Sequence, residues 1–442
     1  MSHTCFQRWT TLGAALALMA LPSLAPAEEP TNEELMAGAA ARIEQHRKAD
    51  ATVVVVDAAG KALPGAQVEV EQTRHAFLFG CNIFGWGQMP NEKAEQAYRE
   101  RFSDLLNYAT LPFYWWSYER RQGEPNHQHA EEVARWCQQH GILTKGHPLA
   151  WNTNDGPWFP DDPDELHRLQ LARIDDCVKR FAGLIDRWDV INEVVSYDVV
   201  EHSKKGPKST AMWQKVGPIN LLRECFEHAR QVNPKATLLI NDNCTDKRYG
   251  KVIEQTVDAE GKRLYDVIGI QSHQHRGVWP PTKVWRVCEE FARFGVPLHF
   301  TETTILSGEQ RQGETGDWPS TPEGEAYQAE KVARFYTLLF SHPAVEAITW
   351  WDFSDQNAWQ RAPAGLLYKD MTPKPAYDEL KKLIKGAWWT TTRVQTGADG
   401  TAALRGFLGD YRITVRVGDK TPVVKEVSLG RGQGNRWTVE VK

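Results

Sequence analysis

Short apolar stretches recur through the middle of the chain and alternate with longer stretches whose apolar positions follow a helical period. Eight of the short stretches have the length and composition of buried strands. They are FLFGCNI (77–83), LNYATLPFY (106–114), ILTKGHPLAW (142–151), RWDVINE (187–193), TLLIND (237–242), DVIGIQSH (266–273), PLHFTET (297–303) and AITWWDF (347–353).

Helical patterns such as HAEEVARWCQQHG and INLLRECFEHARQVNP lie between these strands. Asn233-Pro234 and Gly295 mark the ends of two of the helices. Eight strand–helix units predict an α/β fold, a (β/α)8 TIM barrel over residues 76–387. A doubly wound open sheet is the alternative architecture, but no glycine-rich phosphate loop follows the first strand.

The two ends of the chain have a different pattern. Within residues 28–75, a helix-forming segment precedes two strand-like runs at 52–57 and 66–72, and a Gly/Pro turn signal between the runs predicts a β-hairpin. Residues 388–442 alternate polar and apolar positions between Gly and Asp turns, which predicts antiparallel strands. We expect both ends to combine into one small β-sandwich-like accessory module, and two unrelated decorations are the alternative.

Residues 1–27 have the pattern of a secretory signal peptide. Arg8 precedes an apolar run from Leu12 to Leu21, and Ala25-Pro26-Ala27 resembles a cleavage site. This run is too short to span a bilayer, and no later segment is apolar for long enough. We therefore expect a secreted or periplasmic protein that has no membrane contact after cleavage.

Composition restricts the partners and cofactors. The formal net charge is −5 and no basic stripe is present, so nucleic acid is not an expected partner. Six cysteines follow the signal segment without any CxxC spacing, which does not predict a zinc site. They fit buried thiols better than disulfides, although an oxidising compartment would permit either. We expect a monomer without a cofactor.

Two carboxylates stand at the ends of predicted strands. The active site of a (β/α)8 barrel is built at the carboxyl ends of its strands. RWDVINE ends in Asn192-Glu193, and PLHFTET reaches Thr301-Glu302. A retaining glycosidase needs one carboxyl that donates a proton and a second, ionised one that attacks the anomeric carbon, roughly 5–5.5 Å apart. A barrel that only binds carbohydrate is the alternative, although it would not need two opposed carboxylates.

A second chemical interpretation concerns the histidines after the sixth strand. His273 and His275 are spaced to lie on one face of a strand, and two such side chains can bind zinc. His147 or Glu302 could supply a third ligand. Because the chain has no HxxH-type pair or neighbouring Asp/Cys cluster, we expect His273 to bond a carboxylate and His275 to lie in a loop.

Motifs at these strand ends resemble a known family. GHPLAWN, WDVINE, IND, DVIGIQSH, HFTET and ITWWDFSD…AW occur here in the order found in the family 10 glycoside hydrolases, the endo-β-1,4-xylanase family. The resemblance covers most of residues 77–386 and implies a (β/α)8 barrel that hydrolyses β-glycosidic bonds with retention. It implies that Glu193 is the acid/base and Glu302 the nucleophile. The substrate-binding residues that it implies are His147, Trp151, Asn192, Gln271, His273, Trp351 and Trp359.

The chain also departs from the family pattern, most clearly in the second strand, LPFYWWSYERRQG. Leu111 stands where the family usually has Asn, and Tyr114 stands where it has Lys. Further departures are Asn152 for His, Thr304 for Asp, and Asn243-Cys244 for Tyr-Asn. We therefore add Tyr114 to the predicted substrate-binding residues. The polysaccharide or oligosaccharide substrate is most simply xylan, and another β-linked glycan or glycoside is the alternative.

Overall fold

The computed structural model describes residues 29–198, 205–309, 318–432 and 434–442, so the predicted signal segment lies outside the described residues. Its strands are β1 (Lys48–Asp57), β2 (Gln67–His75), β3 (Leu78–Asn82), β4 (Tyr108–Pro112), β5 (Leu143–His147), β6 (Arg187–Asn192), β7 (Thr237–Asp242), β8 (Val267–His273), β9 (Leu298–Thr304), β10 (Val345–Trp350), β11 (Thr391–Gln395), β12 (Thr401–Phe407), β13 (Gly409–Arg416), β14 (Val423–Leu429) and β15 (Arg436–Val441).

The helices begin where their sequences favour it. Asn91, Asp162, Asp246 and Thr321 each accept a hydrogen bond from a backbone N–H of the first turn that follows. The helices are α1 (Asn32–Ala37), α2 (Ala39–Arg47), α3 (Glu92–Leu105), α4 (Trp115–Tyr118), α5 (His127–Gln139), α6 (Pro163–Arg180), α7 (Pro207–Val216), α8 (Pro218–Val232), α9 (Lys247–Gln255), α10 (Pro281–Ala292), α11 (Pro322–Ser341) and α12 (Pro375–Lys382).

Strands β3 to β10 form a closed barrel in which neighbouring strands run parallel. The predicted TIM barrel is therefore confirmed, and the open doubly wound sheet was the wrong alternative. The barrel strands are buried along nearly their whole length, because helices cover the outer face of the barrel and side chains fill its interior. All their carboxyl ends meet at one rim.

Close packing inside the barrel is visible where β5 meets β6. Gly146 is paired with Trp188, whose indole is fully buried. A Cβ atom on Gly146 would lie 2.1 Å from the Trp188 ring, so only glycine leaves room for the indole. The residue after this glycine is His147, at the rim.

The ends of the chain form an accessory module of two facing sheets, ordered β12-β1-β15 and β11-β2-β13-β14. The accessory β-sandwich is confirmed, but the predicted hairpin of the 52–57 and 66–72 runs is wrong, because β1 and β2 belong to different sheets. Val53 and Val55 of β1 and Val68 and Val70 of β2 belong to one core. The buried positions of both alternating strands therefore lie between the two sheets. The exact domain boundaries stay a prediction.

The two modules are joined through buried polar contacts. Arg47, at the end of α2, donates from Nε to the Phe340 carbonyl at 2.5 Å and from Nη2 to the Val345 carbonyl at 2.8 Å.

The six cysteines of the described chain are buried free thiols. None of the described helices combines the length and apolar composition that a membrane-spanning helix requires.

Candidate active site

A cleft of about 1590 Å³ opens at the carboxyl ends of the barrel strands. All ten residues predicted for the site line this cleft, although they come from different strands and loops. They are Tyr114, His147, Trp151, Asn192, Glu193, Gln271, His273, Glu302, Trp351 and Trp359. The structure thus brings the predicted set together, while the role of each residue stays a prediction.

Glu193 is held in an unusual backbone conformation. It follows β6 directly and has φ 59° and ψ 47°, which is the left-handed region that residues other than glycine rarely adopt. Its backbone N–H donates to the Asn241 carbonyl at 3.0 Å, which holds the turn. Such a conformation costs about 1–3 kcal/mol and is found mainly where function requires it. The turn directs a side chain that is only 11% exposed toward the cleft.

A continuous hydrogen-bonded path joins the two predicted catalytic carboxylates. Gln271 Nε2 donates to Glu193 Oε1 at 3.2 Å and to Asn192 Oδ1 at 3.3 Å. Asn241 Nδ2 donates to the same Asn192 oxygen at 2.8 Å and to Glu302 Oε1 at 3.0 Å. Because Asn192 Oδ1 accepts both bonds, the Asn192 amide orientation is fixed. Its Nδ2 group is left to donate elsewhere.

The other oxygen of Glu302 contacts a histidine. His273 Nε2 lies 3.1 Å from Glu302 Oε2, as predicted for a histidine that bonds a carboxylate. Thr304 Oγ1 lies 3.3 Å from His273 Nδ1 and orients the ring from behind. Trp359 packs against the His273 ring with a centroid distance of 4.5 Å. Glu302 is therefore held on both of its oxygens by groups from β7 and β8.

His147 is oriented by a buried charge pair. Its Nδ1 lies 2.7 Å from Asp189 Oδ2, and the Lys145 ammonium lies 2.6 Å from the same oxygen. Burial alone would disfavour the charged Asp189, but Lys145 and His147 hold its pKa below the ordinary value. With Nδ1 turned to Asp189, His147 Nε2 faces the cleft, 3.9 Å from Glu302 Oε1.

Aromatic rings form the walls of the cleft. The Trp351 ring stands perpendicular to the rings of Phe84, His147 and His273, at centroid distances of 5.5, 5.5 and 5.8 Å. Tyr114 lies between Phe84 and Trp151, at 5.7 and 5.9 Å. Flat rings of this kind offer the apolar surface on which sugar rings can lie.

The electrostatic environment sets Glu193 apart from an ordinary surface carboxyl. Burial raises the pKa of Glu193, the Lys205 ammonium opposes the rise, and the Glu302 carboxylate adds to it. Lys205 Nζ lies 3.8 Å from Glu193 Oε2. A carboxyl with a raised pKa beside a second carboxylate is an arrangement that can donate a proton to a leaving group.

Sequence reasoning missed two of these contributors. Asn241 was within the IND motif, but nothing in its spacing indicated that its side chain reaches both Asn192 and Glu302. Lys205 lies in a loop without periodic pattern, so no local signal could place it beside Glu193.

Asn152 stands at a position where the family has His. Its Nδ2 donates to the Tyr197 carbonyl at 2.6 Å, so its side chain contacts the segment that follows β6.

The alternative metal interpretation gains no support from the geometry. His275 Nδ1 lies 3.4 Å from Thr304 Oγ1, and burial, together with His273, lowers the pKa of His275 to about 3. Across residues 29–198, 205–309, 318–432 and 434–442, no three His, Cys, Asp or Glu side chains are grouped so that they could hold a metal ion.

Comparison with known proteins yields one family and many similar folds. The profile described as "Glycosyl hydrolase family 10" matches residues 72–383. The native xylanase 10B from Thermotoga maritima has 23% sequence identity and a TM-score of 0.58, covering 71% of this chain and 96% of that one. The Thermotoga petrophila xylanase 10B in complex with xylobiose has 22% identity and a TM-score of 0.57, covering 71% and 95%. These likenesses support the fold.

Among curated proteins, anti-sigma-I factor RsgI6 from Acetivibrio thermocellus is 25% identical over 405 residues, which cover 90% of this chain and 49% of that protein. Endo-1,4-beta-xylanase 5 from Arabidopsis thaliana is 26% identical over 325 residues, which cover 69% and 51%. The chain thus spans about half the length of these curated relatives.

Proposed function

This chain belongs to glycosyl hydrolase family 10, and on that premise we propose that it is a retaining β-glycoside hydrolase whose substrate is xylan. One observation carries the proposal: Glu193 and Glu302 line the same cleft and are joined by the path through Gln271, Asn192 and Asn241. Because each carboxylate is held by amide donors and is nearly buried, both are prepositioned for a sugar bound between them.

In the first half of the reaction, Glu193 donates its proton to the glycosidic oxygen while Glu302 attacks the anomeric carbon. The bond to the leaving sugar breaks and a covalent ester to Glu302 forms. The raised pKa of Glu193 supports its role as the acid, because a larger fraction of this carboxyl stays protonated near neutral pH. Asn241 and His273 stabilise the ionised carboxylate of Glu302 before it attacks.

In the second half, the roles of Glu193 reverse. The ionised Glu193 accepts a proton from water, and the water oxygen attacks the anomeric carbon and releases Glu302. Asn192 Nδ2, the group that the fixed amide leaves free, would donate to the 2-hydroxyl of the sugar. That hydrogen bond would strengthen as positive charge develops at the ring.

The remaining residues would bind the sugar at the cleavage point. His147 and Gln271 present polar groups from β5 and β8, and Trp151, Trp351 and Trp359 present flat apolar walls. Another β-linked glycan or glycoside is the second candidate substrate. Tyr114 and Leu111 favour it, because both replace polar side chains that the family pattern has there.

A panel of glycans tests the substrate. Reducing sugar released from xylan, mixed-linkage glucan and aryl β-glycosides should be greatest with xylan and absent with Glu302→Gln, which should still bind xylan oligosaccharides. Xylan left intact while another glycan is cleaved would replace xylan with that glycan. Binding of glycans without any cleavage would favour the carbohydrate-binding barrel instead.

The stereochemistry of the first product tests the mechanism. Proton NMR during the first minutes should show the β-anomer forming before mutarotation, as retention requires. An initial α-anomer would contradict the covalent intermediate on Glu302.

We also propose that the protein is exported, on the basis of the signal pattern at residues 1–27.

A further inference from the structure

Lys205 carries a buried ammonium group beside Glu193. Its side chain is 4% exposed, and its Nζ lies 3.8 Å from Glu193 Oε2 and 5.9 Å from the centroid of the Trp151 ring. Among the described residues, this Nζ has no hydrogen-bond partner. A buried charge without compensation is costly, and the Glu193 carboxylate forms an ion pair with this one.

The backbone that carries Lys205 is anchored independently of this ion pair. Lys205 forms an antiparallel bridge with Thr153. The next residue, Gly206, is packed so closely that a Cβ atom there would lie 2.1 Å from Asp155 Oδ1. The Asp155 carboxylate also accepts hydrogen bonds from two backbone amides at the start of α7, at 2.8 and 3.0 Å. The backbone at Lys205 is therefore held in place without the ion pair to Glu193.

We propose that Lys205 is a positioning residue that acts through Glu193: its ammonium holds the carboxylate in place and stabilises the ionised form that accepts a proton from water. The inference rests on the proposed function, because it takes Glu193 to be the acid/base. Lys205 would not touch the sugar, since its Nζ is shielded from the cleft by burial. Its effect would therefore be electrostatic, through one carboxylate.

The surrounding charges explain when this effect matters. Glu302 and His273 also face Glu193, and Asp242 and Asp198 also face Lys205. Burial raises the pKa of Asp242 to about 7, so below that pH it offers Lys205 little negative charge.

While Glu302 is ionised, its charge opposes the effect of Lys205 on Glu193. Once Glu302 has become an ester, its negative charge is gone. The ammonium of Lys205 then favours the ionised Glu193 that the second half-reaction needs.

Two measurements on the full-length protein test the proposal. The pKa of Glu193 is measured by carbon-13 NMR of carboxyl-labelled glutamate, and the alkaline limb of the pH profile of kcat/KM reports the same group in the free enzyme. In Lys205→Met, both should move to higher pH by about one unit, because an opposite charge within about 4–6 Å has been removed. Lys205→Arg should stay close to the wild type, since it keeps the charge.

Lys215→Met is the matched control. Lys215 lies in the last turn of α7, and its Nζ pairs with Asp164 Oδ2 at the surface, at 2.6 Å. An unchanged Glu193 pKa in Lys205→Met would overturn the proposal, and so would a shift in Lys205→Arg as large as that in Lys205→Met. Thermal unfolding checks that each variant folds. If Lys205→Met does not fold, Lys205→Gln is used in its place, because glutamine also removes the charge. The NMR titration needs no turnover, so it separates failure of this inference from failure of the proposed hydrolysis.

Discussion

Asn241 donates a hydrogen bond of 3.0 Å to the carboxylate of Glu302, although β8 lies between the strands that carry them. Gly269 on β8 makes this reach possible, because a Cβ atom there would lie 2.5 Å from Asn241 Oδ1. Thr301 Oγ1 donates to the same Asn241 oxygen at 2.6 Å and so turns Nδ2 toward the carboxylate. The position of Glu302 therefore depends on residues from three consecutive strands.

Replacing Asn241 with Ala should lower kcat on xylan about 10- to 100-fold, with a smaller change in KM. A hydrogen bond to a charged group is worth about 1.5–3 kcal/mol, and the loss would fall on the attacking carboxylate. Steady-state kinetics measure the change. Asn220→Ala is the control, because Asn220 is exposed and its side-chain amide donates to the Val216 carbonyl. A wild-type kcat in Asn241→Ala would show that the bond does not serve the reaction.

The sequence predicts the barrel well because each strand and helix leaves a local period that can be counted along the chain. It also predicts the rim residues, because they occupy strand ends. The hairpin prediction failed since alternation shows that a strand has one buried face, but not which sheet it joins. Asn241 was missed because its role depends on its side chain reaching across Gly269. Lys205 was missed because its place beside Glu193 depends on tertiary structure and leaves no local pattern in the sequence.

Tyr114 should contribute a hydrogen bond to the substrate through its hydroxyl. The ring stands edge-on to His147, with a centroid distance of 5.5 Å, and Tyr114 lines the cleft. Tyr114→Phe should lower kcat/KM for the preferred oligosaccharide about 2- to 10-fold, mainly through KM. Tyr327→Phe, on the exposed side of α11, is the control. Equal kinetics for Tyr114→Phe and the wild type would show that only the apolar ring of Tyr114, and not its hydroxyl, contacts the substrate.

Gly146→Ala should destabilise the barrel by about 1–3 kcal/mol, because the added methyl group collides with the buried Trp188 ring and the core must shift. Denaturant unfolding followed by tryptophan fluorescence measures the loss. Gly386→Ala is the matched control, since a Cβ atom at Gly386 meets nothing within 4 Å. If both variants unfolded at the same denaturant concentration, the packing at Gly146 would be looser than the structure indicates.

Asp352 gives the cleft a buried carboxyl whose ionisation opposes folding. It is 7% exposed, and its Oδ1 accepts the backbone N–H of Trp359 at 2.8 Å. Burial raises the pKa of Asp352 to about 7; Asp355 adds to the rise and Lys374 opposes it. In the unfolded chain this carboxyl titrates near pH 4. Between about pH 4 and 7 the folded state therefore binds more protons than the unfolded state, and stability should fall as pH rises.

Asp352→Asn should remove this loss, because the amide cannot ionise and can still accept the Trp359 N–H. The variant and the wild type should have similar free energies of unfolding near pH 3.5, and the variant should be more stable by on the order of 2–4 kcal/mol near pH 8. Urea unfolding at several pH values measures the difference. Asp419→Asn, in an exposed turn of the accessory module, should parallel the wild type throughout. Parallel curves for Asp352→Asn as well would mean that Asp352 has the same pKa in the folded and unfolded states.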